Sequence, residues 1–377
     1  MNKNTKKLDR NKNIAKEKLT KILDIILKNN NINLNDIKLF SQNKQGYSGA
    51  RIGFIKHKNK NCIIKLNKKP KNLSYKTKGN CIYLHYAINE LFKTYIINNI
   101  HLFTNSQKIK KIQLDNYIVK NYSIGVLDND VYTISEKIGI QQGNNYNTNL
   151  DDLFRNNFIP YIKNLNEKDY QKNLNKLLVF LTQKLKTYFD IMKILNTTIG
   201  FVHSDLKLEN VFIKQTNEKS NPDFISNVNL LVSDLDKSNI RLNNVKILPD
   251  TSLGTISKAL VKRSRIKYTH NFRYECLNDP NFCHNFKEYH FDRLCVLINI
   301  YIILYNKIYI NKKTEKLVLE LEILNNFARK YLNLTKDEFL IFLKCINNII
   351  TKNFKFRMTY INLIIYNLCK KLHKRKN

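Results

Sequence analysis

Residues 200–214 read GFVHSDLKLENVFIK. Three polar groups stand among apolar ones: the Asp205 carboxylate, the Lys207 cation and the Asn210 carboxamide. The apolar periodicity of Leu174–Thr198 predicts a long helix before them. The run from Val211 predicts a strand after them, so the three groups share one short loop. Phosphoryl transfer needs a carboxylate near the attacking hydroxyl, a cation beside the moving charge and an oxygen ligand for Mg²⁺. Asp-x-Lys-x-x-Asn supplies all three within six residues. The plainer alternative is a polar loop that happens to follow a helix.

Working outward, Leu230–Ser238 reads LLVSDLDKS. An apolar strand ends at Asp234, 24 residues after Asn210, and a carboxylate there suits a second metal ligand. Asp236, two residues on, reads as a solvated turn residue. Upstream, Gln45–Ile52 (QGYSGARI) places Gly46 and Gly49 in a turn where a backbone without Cβ can approach phosphates. Lys65 follows Gly49 by sixteen residues and closes the apolar run Cys62-Ile63-Ile64. Glu90, inside a helix predicted over Gly79–Ile100, is the sole Glu between Lys65 and Glu136.

In this order the motifs resemble those of the eukaryotic-type Ser/Thr protein kinases. HSDLKLEN and SDLD stand where that family has HRDxKxxN and DFG. The resemblance spans roughly residues 40–370 and implies an α+β, two-lobed protein-kinase-like fold. The small β-rich N-lobe would be 40–138 and the larger α-helical C-lobe 139–371, after a 1–39 segment. It implies ATP and Mg²⁺ as cofactors. Asp205 and Lys207 become the catalytic pair, Asn210 and Asp234 the metal ligands. Gly46, Gly49, Lys65 and Glu90 become nucleotide-binding residues. Tyr132–Ile138 (YTISEKI) looks like the strand and hinge that receive adenine, with Ser135 as gatekeeper and Glu136 beside it. Asp292 looks like the anchoring Asp of a buried helix over Leu294–Tyr305. Arg357, in Phe356-Arg357-Met358-Thr359, would pair with Glu275.

Departures from the pattern are informative. Lys44 stands at the first glycine position, Ser204 at the HRD arginine and Asp236 at the DFG glycine. Without that arginine to grip a phosphate, activity is expected without activation-loop phosphorylation. The DLD motif and the Lys/Asn/Ile-rich composition are similar to kinases of large cytoplasmic DNA viruses, including the poxvirus morphogenesis group. Host cytoplasm or virion would then be the location.

Composition bounds the rest. The chain has 377 residues, 43% hydrophobic, enough for a sizeable core. Seven Cys form no dense even framework and read as reduced thiols. No secretory signal opens the chain, and Leu294–Tyr305 is too short to span a bilayer. The net charge of +35 has two sources open to it: A/T-rich codon usage, or anionic partners. No motif supports specific nucleic-acid binding. Protein substrates are the expected partners, and the basic run Lys262–Lys267 would favour acidic or pre-phosphorylated ones. Cys276, Cys283, His284, His290 and Cys295 lack the close Cys pair of a zinc site. Two other functions stay open. One is a small-molecule phosphotransferase of aminoglycoside or choline kinase type, which GYSGA resembles but Lys207 and Arg357 disfavour. The other is a pseudokinase scaffold.

Along the chain, residues 1–15 read as a mobile basic tail and Lys16–Lys28 as a docked amphipathic helix. Two strands joined at Leu127–Asp130 are expected over Asn116–Ile138. Gln141–Asn149 reads as a polar linker, Leu150–Asn157 as helix, and the stretch after 236 as loop-rich to about 288.

Overall fold

The structure is a computed structural model. It describes residues 3–28, 37–39, 50–70, 75–103, 114–142, 145–165, 168–215, 228–249, 288–307, 320–332 and 334–343, without 338 and 341. The chain forms two compact units. The first comprises Met1–Ile138, Met192–His203 and Ser233–Ser264; the second comprises Gly139–Ile191, Ser204–Val232 and Arg265–Asn377. The mixed α+β class expected from sequence is observed, with sheets toward the N-terminus and helices toward the C-terminus.

The first unit opens with helix α1, Lys3–Leu27, rather than a mobile tail followed by a short helix. No Gly or Pro interrupts it, and buried Ala15 extends the stripe of Leu19, Ile22, Leu23 and Ile26 by one turn. It docks on α2, β6 and β13, defined below. Strands β1 (Ile37–Leu39), β2 (Arg51–His57) and β3 (Lys60–Lys68) follow. β2 and β3 are joined by Lys58 and Asn59, both at positive φ, the tight hairpin geometry that matches strand twist.

The predicted helix over Gly79–Ile100 is a strand and a helix. Strands β4 (Lys76–Lys78) and β5 (Cys81–Leu84) precede α2 (Tyr86–Asn98). Alternation in β5 buries Ile82 and Leu84, a period of two that ends at His85. The His85 ring nitrogen caps α2 by accepting from the Ala87 N–H at 3.4 Å. β6 (Asn121–Leu127) and β7 (Asp130–Glu136) are the two strands expected around Leu127–Asp130. β12 (Ile240–Leu242) and β13 (Val245–Pro249) form a hairpin where the sequence reads as loop. Their turn, Asn243–Asn244, is again at positive φ.

One sheet has the order β1-β2-β3-β7-β6 and is antiparallel throughout. The other has the order β12-β13-β5-β4, with β13 parallel to β5. Ile55, Cys62, Ile64, Leu66, Tyr132 and Ile134 form a cluster on one face of the first sheet. Because side chains alternate, Lys65 must face the opposite side.

Gly53 is fixed by a close approach. A Cβ built there lies 2.6 Å from the Lys38 carbonyl oxygen and 2.9 Å from the Leu39 Cα, both backbone atoms of β1. Gly53→Ala is expected to push β1 off the sheet and cost about 1–3 kcal/mol, the scale of overpacking. A chemical-denaturation midpoint equal to wild type would show that β1 does not hold that position.

In the second unit, β8 (Ile140–Gln142) and β9 (Asn145–Asn147) pair across the segment read as a polar linker. The helix predicted over Leu150–Asn157 is α3 (Leu150–Leu153), widened into a π turn at Phe154–Phe158, then α4 (Ile159–Lys163). Buried Phe154 and Phe158 stack at 4.5 Å within that wider turn. Helix α5, Tyr170–Ile199, covers the long helix expected before residue 200, and its last turns belong to the first unit. β10 (Val211–Gln215) and β11 (Val228–Val232) form an antiparallel pair. Helix α6, Glu288–Lys307, buries Leu294, Val296, Leu297, Ile300 and Leu304. Its polar interruption, Asn299, donates to the Cys295 carbonyl at 2.7 Å. Tyr301 donates to Asn325 of α7 (Glu322–Leu332), also at 2.7 Å. Among the described residues no helix is long and apolar enough to cross a membrane.

Candidate functional site

In the first unit, three sequence-predicted residues meet. β3 carries Lys65, α2 carries Glu90, and Asp234 opens a single 3₁₀ turn, Leu235–Lys237. The Lys65 ammonium donates to Glu90 Oε1 at 2.8 Å and to Asp234 Oδ1 at 2.9 Å. The other Glu90 oxygen accepts from Asn67 Nδ2 at 3.1 Å. Asn67 lies two residues beyond Lys65, so the alternation of β3 puts both on one face. The Asp234 backbone is left-handed, φ 55°, which Asp tolerates better than most residues.

Asp236 is not the solvated turn residue expected. It is 4% exposed, because the 3₁₀ turn rotates it inward against α2. Its carboxylate lies 3.3 Å from the Lys237 ammonium. Burial alone would push the Lys65 ammonium down. The charges of Asp234, Glu90 and Asp236 outweigh that and hold it well above the ordinary lysine value. Burial raises the Glu90 carboxyl, and Asp234 and Asp236 add to the rise against the pull of Lys65. Burial is the largest influence on both groups, and the neighbouring carboxylates overcome it at Lys65 and reinforce it at Glu90. With Lys237 beside Asp236, three carboxylates stand against two ammonium groups, a net negative charge that suits a further cation. Among the described residues no three His, Cys, Asp or Glu side chains converge as a metal cage. Mg²⁺ typically takes one or two carboxylates and fills its shell with water and substrate phosphates.

The second unit holds the loop that the sequence singled out. Asp205 and Asn210 are buried, and Asn210 Nδ2 donates to the Asp205 carbonyl at 2.8 Å. It also lies 3.4 Å from Asp205 Oδ2. The Lys207 N–H donates to the same carbonyl at 3.1 Å. Leu206 and Leu208 are buried between the polar positions and anchor the loop. The Lys207 ammonium lies 3.7 Å from Glu209 Oε2. Ser204 has a left-handed backbone, φ 64°, and its N–H donates to Asp292 Oδ1 of α6 at 3.0 Å. Asp292 is therefore an anchor of this loop, buried at 1% exposure.

Glu136 ends β7, and its carboxylate accepts from the Lys120 N–H at 3.0 Å. Its own N–H donates to the Lys120 carbonyl. Gly46, Gly49, Lys44, the basic run Lys262–Lys267, Glu275 and Arg357 lie outside the described residues, as do Cys276, Cys283 and His284.

Sequence reasoning missed Asn67, although the two-residue period from Lys65 marks it. It also missed Asn89 and Lys93 of α2, both fully buried. Their only signal is polarity at positions that a helix wrapped on all sides would fill with apolar residues.

No family model and no curated protein matches this sequence. Among solved structures, the crystal structure of the BubR1 kinase domain is similar, with a TM-score of 0.42 and 14% identity. The match covers 93% of this chain and 98% of that one.

Proposed function

We propose that this protein transfers the γ-phosphoryl group of ATP, with Mg²⁺, to Ser or Thr hydroxyls of protein substrates. The observation that carries it is Lys65 held at once by Glu90 and Asp234. A buried lysine kept cationic by paired carboxylates is what holding nucleotide phosphates requires. In the first unit Lys65 binds the α/β-phosphates and Glu90 orients it, while Asp234 is assigned to Mg²⁺. In the second, Asp205 orients the acceptor hydroxyl and takes its proton, and Lys207 offsets the charge of the moving phosphoryl group. Asn210 is the oxygen ligand assigned to Mg²⁺ there. When bound, Mg²⁺ neutralises phosphate charge. The Asp234-Leu235-Asp236 triplet keeps the proposal close to the divergent kinases of large cytoplasmic DNA viruses.

The test is transfer of labelled γ-phosphate from ATP to casein or a basic histone mixture, followed by phospho-amino-acid analysis. Phosphoserine or phosphothreonine is the expected product. Label on an aminoglycoside or choline alone would assign the small-molecule reaction. ATP binding without transfer to any acceptor would assign a scaffold.

A further inference from the structure

We propose that Asn89 is a positioning residue: its carboxamide bolts α2 to the turn that carries Asp234, so that Glu90, Lys65 and Asp234 stand as one assembled group. The part of this that concerns activity rests on the phosphoryl-transfer reading; the structural part does not.

Glu90 and Asn89 are adjacent on α2, and successive helical side chains diverge by about 100°. One therefore faces Lys65 of β3 while the other faces the 3₁₀ turn at Leu235–Lys237. The Asn89 amide spends both of its N–H donors on that turn, at 2.9 Å to the Asp236 carbonyl and 3.2 Å to the Ser238 carbonyl. Ser238 closes the same turn from its far end, its hydroxyl donating to the Leu235 carbonyl at 2.7 Å. Asn89 Oδ1 accepts from the Lys93 side chain, one helical turn on. Asn89 and Lys93 are both 0% exposed. Burying an amide and an amine is costly unless each is hydrogen-bonded; here the amine donates to the amide and the amide donates to the turn.

The connections close a ring. Glu90 leads through the α2 backbone to Asn89, through its hydrogen bonds to the turn, through the turn to Asp234, and by Lys65 back to Glu90. In such a ring α2 cannot swing away and leave Asp234 in place. Nearly every residue of α2 from Ala87 to Ile97 is buried, which fits a helix fixed rather than hinged.

Asn89→Asp keeps the side-chain shape, removes both donors, and leaves Lys93 a charged partner. Hydrogen exchange at residues 235–239 is expected to accelerate roughly tenfold or more, the scale of one or two lost buried hydrogen bonds. Exchange in β10 and β11 should not change. In the phosphoryl-transfer assay, turnover should fall about tenfold and the Mg²⁺ needed for half-maximal rate should rise by a similar factor. The KM for the protein substrate should hold. Lys93→Met, which leaves the two donors, should change either readout less than about threefold. A folded Asn89→Asp variant with wild-type exchange at 235–239 would overturn the proposal, and so would a Lys93→Met variant of equal effect. Should Asn89→Asp not fold, wild-type exchange in dilute denaturant decides. The Ser238 amide and the amides of α2 should share one opening, and separate openings would overturn the bolt. A wild-type protein that transfers no phosphate defeats the functional reading alone, because the exchange result stands without it.

Discussion

Lys65→Met is expected to leave the protein folded and to reduce phosphoryl transfer by at least about a hundredfold, and its stability should fall more with rising pH than wild type's. On the proposed function, loss of catalysis follows from removing the cation assigned to the nucleotide phosphates, an electrostatic contribution worth a few kcal/mol at the transition state. Breaking a buried pair by deleting one partner ordinarily costs about 3–5 kcal/mol. The fold survives because Glu90 has another recourse. Burial already raises its carboxyl, and Lys65 is what holds that rise back. Once the lysine is gone, the Glu90 pKa rises further and the side chain folds in neutral form, still hydrogen-bonded by Asn67. A carboxyl whose folded pKa exceeds its unfolded value binds more protons when folded. Its contribution is full below the unfolded pKa, about 4.3 for Glu, and is lost as pH rises through the folded pKa. The variant should therefore lose stability relative to wild type as pH climbs from mildly acidic toward neutral. Parallel denaturation curves at several pH values would show this. A constant difference would mean that Glu90 stays ionised in both proteins, and wild-type turnover by the variant would remove Lys65 from the site.

The candidate site residues stand out in the sequence because apolar neighbours set them off, even where, as with Lys65 in β3, they lie inside an element. Lys65 closes an apolar run, Asp234 ends one, and Asp205 to Asn210 fill the gap between a long helix and a strand. Their partners were harder to see, since a contact between Asn89 and residue 236 spans 147 positions and leaves no local pattern. The misread segments have local causes. Val245–Pro249 reads as loop because it is short, its hairpin partner β12 has only three residues, and its other neighbour, the parallel β5, lies far back in the chain. β5 merges in the sequence with the helix after it because four residues are too few for alternation to stand out beside an apolar helix. The first fifteen residues read as a mobile tail because charge density outweighs the absence of any helix breaker, and Ala15, a small residue, carries little weight in a periodicity argument.

Asp234→Asn and Asp236→Gly should separate the two acids of the metal-motif turn. Asn tolerates the left-handed backbone of position 234 as Asp does, and its side-chain oxygen can still accept from Lys65. The variant should keep its fold, so any loss of rate reports the missing charge. On the proposed function, losing the anionic ligand assigned to Mg²⁺ leaves phosphate repulsion uncompensated, so turnover should fall by about a hundredfold or more. Rising Mg²⁺ should recover part of it. Asp236 acts differently. Its backbone carbonyl carries the bond from Asn89, which a glycine keeps, while its buried carboxylate adds to the crowd of negative charge around Lys65. Removing that carboxylate relieves repulsion, whereas glycine adds roughly 0.5–1 kcal/mol of backbone entropy to be lost on folding. These effects oppose each other, and the rate should change less than about tenfold, with little dependence on Mg²⁺. If Asp236→Gly is instead the inactive protein and Asp234→Asn the active one, the metal ligand is Asp236, and the bond from Lys65 to Asp234 is structural.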